Sequence, residues 1–447
     1  MSQNTHSFMG TTPIKPLLLS MSAPVMISML ISAIYNLVDS IYVAQVSDLD
    51  FLALSYAYPI QLLMIAFCTG TGIGFSAIFS KRLGEGDKKT ANLVAFHGFF
   101  LYGCCWLLFL VFGLVGTPVF FHFSTSDPVV MGSGIRYLTV CCIGSVGLCT
   151  QFICERILQA TGHPAGFMIV QGSGALLNIV LDPLFIFHFD MGVTGAAVAT
   201  VIGQICGGLI GLTLLYRIRT QFPLSIQGVR IHWSFLREIM EISIPAIVMQ
   251  SLSSFMSLGL NQLLTLWSNT AVFVLGVYFK IQSFIFMPAF GISSGLIPII
   301  GYHVGAKNPH RIRSVIRFGL QLAIGMGVLG MVLLCLFAPI LLKICFHATA
   351  QTLDMGIFAL RLASLSFPLA AISVIFSSVF QALGRGVLSL ILSLFRQLLF
   401  LLPFAAILLL LAPNWVWLCF LLAELCTAVI TLICNHRILK PLLNTIA

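Results

Sequence analysis

Long apolar stretches follow one another through almost the whole chain, broken only by short polar segments. A helix of about 20 residues covers the roughly 30 Å hydrocarbon core of a bilayer. Read between the breaks, the sequence offers twelve such stretches, roughly 16–45, 51–79, 91–121, 129–154, 165–188, 193–216, 234–267, 270–301, 312–342, 352–382, 387–411 and 414–436. In hydrocarbon each backbone amide has to find its partner within its own segment, which a continuous helix provides. Composition agrees: 59% of the 447 residues are apolar and 8% charged, against about a quarter charged in soluble domains. A soluble enzyme, a secreted protein and a nucleic-acid binder are excluded on that count. The longest connector, 217–233, is too short to fold by itself. The expected class is an all-α polytopic membrane protein that is not an enzyme and needs no cofactor.

Charge sets the expected orientation. The breaks at 80–90, 155–164, 217–233 and 302–313 hold most of the Lys and Arg, while SDLD at 47–50 and HFD at 188–190 are acidic. The positive-inside rule makes the basic set cytoplasmic, which also explains the net charge of +9. With an even number of spans, both termini are then cytoplasmic, as expected in a bacterial inner membrane. The first fifteen residues are polar with one charge, so no cleavable signal peptide is evident. The 13 cysteines lack zinc-type spacing and lie largely in apolar runs, where Cys behaves as a small hydrophobe.

An internal repeat divides the chain. Residues 74–98 align without gaps on 295–319, so that Gly74, Gly84 and Gly98 fall on Gly295, Gly305 and Gly319 at an offset of 221. Pro24 meets Pro245 and Gln61 meets Gln282 at the same offset, and Gln159-Ala160-x-Gly162 meets Gln381-Ala382-x-Gly384 one residue further on. A constant offset across four stretches is not a product of shared membrane composition. The expected organisation is therefore two pseudo-symmetric six-helix bundles, 1–216 and 234–447, joined by a cytoplasmic connector at 217–233. Parallel repeats of this kind are built for alternating access around a central cleft.

An ionisable side chain in hydrocarbon costs about 2.5–3.5 kcal/mol on insertion scales and marks function by default. Asp39, Asp182, Lys280, Arg396 and Glu424 lie well inside the stretches, and the other charges sit at or near their ends. Asp39 continues a polar stripe through Ser28, Ser32 and Asn36, a face that must look into the protein. Asn178 and Asp182 share a face at i, i+4, and Pro183 predicts a kink that frees a carbonyl beside the carboxylate. At 1.5 Å per residue Asp39 lies about 12 Å from the external break, Asp182 about 9 Å and Thr200 about 12 Å. Helices one, five and six thus place three polar groups at one level. Leu260 takes the position equivalent to Asp39 in the second half, so the halves differ in charge. Lys280, Arg396 and Glu424 fall near mid-membrane, where Lys280 is expected to pair with Glu424 and Arg396 to join them. That trio fits a structural ion-pair network or substrate recognition. His97 has no matching partner and reads as a packing residue. The 37 Phe and 16 Met supply lipid-facing surface and suit a permissive apolar pocket with cation–π capacity.

With NLVDS in helix one, NIVLDP in helix five, GVTGAAVATVIGQ in helix six and QALGRG after helix ten, the chain resembles the multidrug and toxic compound extrusion (MATE) transporters over nearly its whole length. The resemblance implies a secondary antiporter that exports organic, often cationic, amphiphiles in exchange for H+ or Na+. In the DinF-like branch an acid on helix one faces an Asn-x-x-x-Asp on helix five and a Thr on helix six. Position by position these are Asp39, Asn178, Asp182 and Thr200, implied to hold the coupling proton or sodium ion, with Asn36 in support. The NorM-like acids of helices seven and ten have no counterpart in MQSLSSFMSLGLNQ or FPLAAISVIFSSVFQ, which favours the DinF-like arrangement. The expected partners are amphiphilic small molecules and membrane lipids, with no nucleic acid, and the expected state is a monomer. A flippase for lipids or lipid-linked precursors is the alternative, which would carry about two more spans and a more basic cavity.

Overall fold

The computed structural model describes residues 5–219, 231–346 and 350–445, and among them every regular element is a helix. Ten helices are long and apolar enough to cross a membrane, and twelve spans result when each of two bent pairs is taken as one. In order they are helix one Ile14–Val46, helix two Asp48–Gly84, helix three Lys88–Ser124, helix four Pro128–Ile143 with Ser145–Ala160, helix five Pro164–His188 and helix six Gly192–Arg217. Helix seven is Trp233–Thr265, eight Asn269–Gly305, nine Pro309–Phe346, ten Thr352–Ser364 with Phe367–Ala382, eleven Gly386–Leu411 and twelve Leu418–Thr445. The bent pairs, with angles of 41° and 46°, are spans four and ten. They occupy the same place in the two halves, breaking at Gly144 and Ser366. The expected connector lies mostly at 220–230, outside the described residues.

Short breaks need strong punctuation. Ser47 caps helix two by accepting from the Asp50 amide at 3.0 Å, and Ser268 caps helix eight by accepting from the Thr270 amide at 3.2 Å. Asp87 caps helix three, accepting from the Thr90 amide at 3.0 Å and the Thr90 hydroxyl at 2.5 Å. The bonds from Thr90 hold the carboxyl of Asp87, which precedes the span, below its ordinary range. Gly162 and Gly384 end helices four and ten at φ +82° and +76°, a left-handed conformation that glycine adopts without strain. The recurrence of Gln-Ala-x-Gly is therefore one turn used twice.

The described chain forms two compact units, Met1–Thr12 with Ala23–Ile247, and Pro13–Ser22 with Val248–Ala447. Helices one and seven each pass from one unit to the other beside Pro24 and Pro245. In unit 1, helix two receives the start of helix seven: a side chain at Gly74 would collide with Ser243, whose hydroxyl donates to the Thr71 carbonyl at 3.4 Å. Arg82 adds a bond to Glu238 at 2.9 Å. In unit 2 a Cβ at Gly295 would meet Ser22 Oγ at 2.5 Å, and Lys15 Nζ lies 5.9 Å from the centre of the Phe318 ring. Gly74 and Gly295, paired by the repeat, thus do the same job: each admits a serine of the other half's first helix.

Inside unit 1, helix six packs closely against helix five. A Cβ on Gly203 would meet the Gly174 carbonyl oxygen at 2.6 Å, and one on Gly174 would meet the Gly203 oxygen at 2.8 Å. Small residues allow such backbone approach in membranes. Gly203→Val should cost about 1–3 kcal/mol by overpacking and lower the melting temperature of the detergent-solubilised protein. Gly103→Ala, where nothing lies within 4 Å, should leave it unchanged.

Candidate functional site

Polar side chains of unit 1 collect around two cavities. The larger, about 630 Å³, is lined by Asp39 and Tyr35 of helix one, Gln61 of helix two, Tyr137 of helix four, and Thr200 and Gln204 of helix six, among apolar neighbours. The smaller, about 190 Å³, is lined by Ser32, Gln151, Gln171 and Asn178 and shares Tyr35, Thr200 and Gln204 with the first. Asp39 is 8% exposed, Asn178 2% and Asp182 0%. Asn178 Nδ2 donates to Asp182 Oδ1 at 3.0 Å and to Thr200 Oγ1 at 3.3 Å. The i, i+4 register that put Asn178 and Asp182 on one face is thereby realised, and Thr200 joins them across the close helix five–six contact. Thr200 is also what Asp39 has in common with that triad, since it lines the cavity Asp39 faces.

Three oxygens stand out among the described residues. Asp39 Oδ1, Asn178 Oδ1 and Asp182 Oδ2 are buried with no hydrogen-bond partner. An unpaired buried acceptor costs about 1–3 kcal/mol, so each of these oxygens is open to a hydrogen-bond donor or a cation. Hard oxygen donors suit a proton or a small hard cation. The Asn36 side chain lies outside the described residues. Ser28, on the same stripe, donates to the Pro24 carbonyl at 2.8 Å, and Ser32 accepts from Gln171 Nε2 of helix five.

At Pro183 the helix changes type. The α-helix runs to Pro183 and continues as a π-helical turn over Leu184–His188, the kind of irregularity that, with proline, bends helices. The C-half charges differ from expectation. Arg396, not Lys280, reaches Glu424, with Nη1 at 3.5 Å from Oε1. Ser373 Oγ donates to the other Glu424 oxygen at 3.1 Å. Lys280 is exposed and makes no ion pair among the described residues. Spacing along the chain specifies depth within a helix but not rotation about its axis.

Glu155, which its sequence position puts at a span end, lies next to Gln151 of the smaller cavity. It is 1% exposed and accepts a 2.9 Å hydrogen bond from Gln151 Nε2. Gln151 itself is accommodated by glycines: a Cβ at Gly207 would meet its Oε1 at 3.2 Å and one at Gly174 at 3.8 Å. Gln61, whose Nε2 donates to the Tyr137 hydroxyl at 2.9 Å, is marked in the sequence by its repeat match with Gln282 but not as a cavity residue. Tyr137 gives no signal in its apolar surroundings. His97 is a packing residue as expected: Nδ1 meets the Leu93 carbonyl at 2.7 Å and Nε2 accepts from the His232 amide at 2.8 Å.

Comparison with known proteins agrees with this architecture. The MatE family model matches the chain twice, over residues 24–184 and 245–407, and the two matches begin 221 residues apart at Pro24 and Pro245. The chain is 27% identical over 387 residues to the multidrug export protein MepA of Staphylococcus aureus, covering 84% of this chain and 83% of that protein. It is 27% identical over 369 residues to MepA of Staphylococcus saprophyticus, covering 82% and 81%. A MATE crystal structure in the bent conformation superposes with a TM-score of 0.93 at 23% identity, covering 100% of both chains. A transporter of the MOP superfamily from Pyrococcus furiosus gives 0.89 at 23% identity, covering 99% of both. With the family model matching most of its length in two copies, the chain belongs to the MatE family.

Proposed function

We propose that this protein is a secondary active antiporter of the bacterial cytoplasmic membrane, exporting organic, often cationic, amphiphiles in exchange for H+ or Na+. The observation that carries the reading is the placement of the Asp39 carboxylate on a roughly 630 Å³ cavity that shares Thr200 with the Asn178–Asp182 pair. A cavity with a carboxylate, three tyrosines (Tyr35, Tyr58 and Tyr137) and apolar walls is chemically suited to a cationic amphiphile. The multidrug export named for the MepA relatives points the same way.

In the proposed cycle a cation arriving from outside is taken up by Asp39, Asp182, Asn178 and Thr200. Two carboxylates close together in a medium of low dielectric cannot both stay ionised at ordinary cost, so a proton is one natural occupant. Sodium, coordinated while both are ionised, is the other. Either way the cavity loses negative charge and with it affinity for a cationic drug, which leaves outward. The two lobes then exchange outward- for inward-facing access, and the ion is released inside. Only ligands that bind the two states unequally can drive that exchange. The protein acts in this reading as a monomer with both termini cytoplasmic, without cofactor or covalent chemistry. Arg396, Glu424 and Ser373 serve as an internal tie of the second lobe.

Efflux from reconstituted vesicles, with a pH gradient and a sodium gradient imposed separately, tests the reading. Uphill movement of a fluorescent cationic dye should follow one of the two gradients and vanish when it is collapsed. Dye movement indifferent to both gradients would refute antiport.

A further inference from the structure

We propose that a cleft at one end of unit 2 binds the headgroup and upper acyl chain of an anionic phospholipid. The cleft has a volume of about 510 Å³ and runs along helix nine from Arg313 to Ile324, a length of about 16 Å at the helical rise. Its polarity changes along that length. Arg313 and Arg317, one turn apart and both exposed, stand at one end, with Gln321 a turn further in. Further along helix nine the lining turns apolar, with Leu320 and Ile324 and the buried Phe376 of helix ten, while Leu443 lies next to Asn444 at the arginine end. A site for a free anion would be polar throughout. A charged mouth opening onto an apolar lane matches a molecule with a phosphate at one end and a hydrocarbon chain at the other.

The charge at this end is of one sign. Two like charges at i, i+4 repel each other on a helix. The segments 302–320, 381–390 and 434–445, which form this end, hold seven Lys and Arg and no Asp or Glu. Unit 1 treats its corresponding basic segment differently: Lys81 and Arg82 pair with Glu238, and Arg82 also with Glu85, at 2.9–3.6 Å. The positive-inside rule accounts for the sign of both ends, but Arg313 and Arg317 make no ion pair among the described residues, unlike Lys81 and Arg82. Arg313 Nη2 donates to Asn444 Oδ1, which ties the last helix over the cleft while the remaining guanidinium N–H groups stay available to a phosphate. The wall opposite helix nine includes Asn435 and Leu439, the two ends of a π-helical turn over Asn435–Leu439. Such turns interrupt an α-helix most often at functional sites. Basic clefts between spans on the cytoplasmic side are where anionic headgroups bind.

Native mass spectrometry of the full-length protein in mild detergent tests this, titrating phosphatidylglycerol, phosphatidylcholine and inorganic phosphate in separate arms. Each arginine near an anionic lipid is worth about fivefold in affinity, so Arg313→Gln/Arg317→Gln should weaken phosphatidylglycerol about 25-fold. Arg385→Gln, at the same end but outside the cleft, should leave it unchanged. Phosphatidylcholine should bind weakly, and phosphate should not compete. Equal retention of the two lipids, an unaffected double variant, an equal loss in Arg385→Gln, or displacement by phosphate alone would each overturn the assignment. If the double variant does not purify as a single species, Ile324→Trp decides. It fills the apolar lane, leaves both guanidiniums in place, and must itself weaken phosphatidylglycerol for the proposal to stand.

Discussion

Replacing Asp39 by asparagine should leave a protein that inserts and purifies like the wild type and no longer concentrates drug against a gradient. For one-for-one exchange each pH unit of gradient can sustain a drug ratio of about ten. A variant without the titrating carboxylate cannot draw on that gradient, so the ratio should fall to unity at any imposed pH difference. Asp39 lines the cavity and has an unpartnered buried oxygen, so the amide fills the same space and removes only charge and proton capacity. Asp182→Asn should behave alike, because the same Asn178–Thr200 triad loses its acid. Asp190→Asn is the control, an exposed acid whose loss should cost nothing. The equivalent position in the other half, Leu260, is 1% exposed in the apolar core of unit 2. An amide there would harm folding for reasons unrelated to coupling. Wild-type accumulation by an Asp39→Asn/Asp182→Asn protein at equal membrane level would end the coupling assignment.

The second large effect belongs to Arg396. Its guanidinium lies 3.5 Å from Glu424, and the two side chains are 25% and 12% exposed. Removing one member of such a pair leaves an uncompensated charge and costs about 3–5 kcal/mol, whereas removing both can be nearly neutral. Arg396→Met should therefore reduce the yield and thermal stability of purified protein sharply, and Arg396→Met/Glu424→Gln should recover most of the loss. Lys280→Met should do little, since Lys280 is exposed and outside the pair. If Lys280→Met is as damaging as Arg396→Met, the pairing drawn from the structure is wrong.

These cases show where a sequence informs and where it does not. Hydropathy locates the helices because membrane thickness fixes their length, and the repeat is visible because Gly74 and Gly295 each admit a crossing helix. Asn178, Asp182 and Thr200 are legible by depth, since distance from a break converts to position at a fixed rise. Lys280 and Arg396 lie at similar depth, and only their rotation about the helix axis separates an exposed lysine from a paired arginine. Glu155 reads as a span-end residue for another reason. Helix four continues to Ala160, past Glu155, so that residue lies within the helix and not in the break that follows it. The π-helical turns at Leu184–His188 and Phe395–Phe400 shift the register of the residues beyond them and carry no compositional mark.

The passage of helices one and seven between the units bears on how such a chain could have arisen. Ten residues of the first half, Pro13–Ser22, belong to unit 2, and the opening of helix seven up to Ile247 belongs to unit 1. A cut at the connector would therefore yield two fragments, each lacking a piece of its own packing and carrying a piece of its sibling's. A half-length ancestor with this arrangement would have been complete only as a pair trading its leading helical turns, a segment-exchanged dimer. Fusion of the two copies would have made that exchange permanent and relieved the pair of its dependence on concentration. Once joined, the two copies would be free to differ, as Asp39 in the first half and Leu260 at the matching position of the second do.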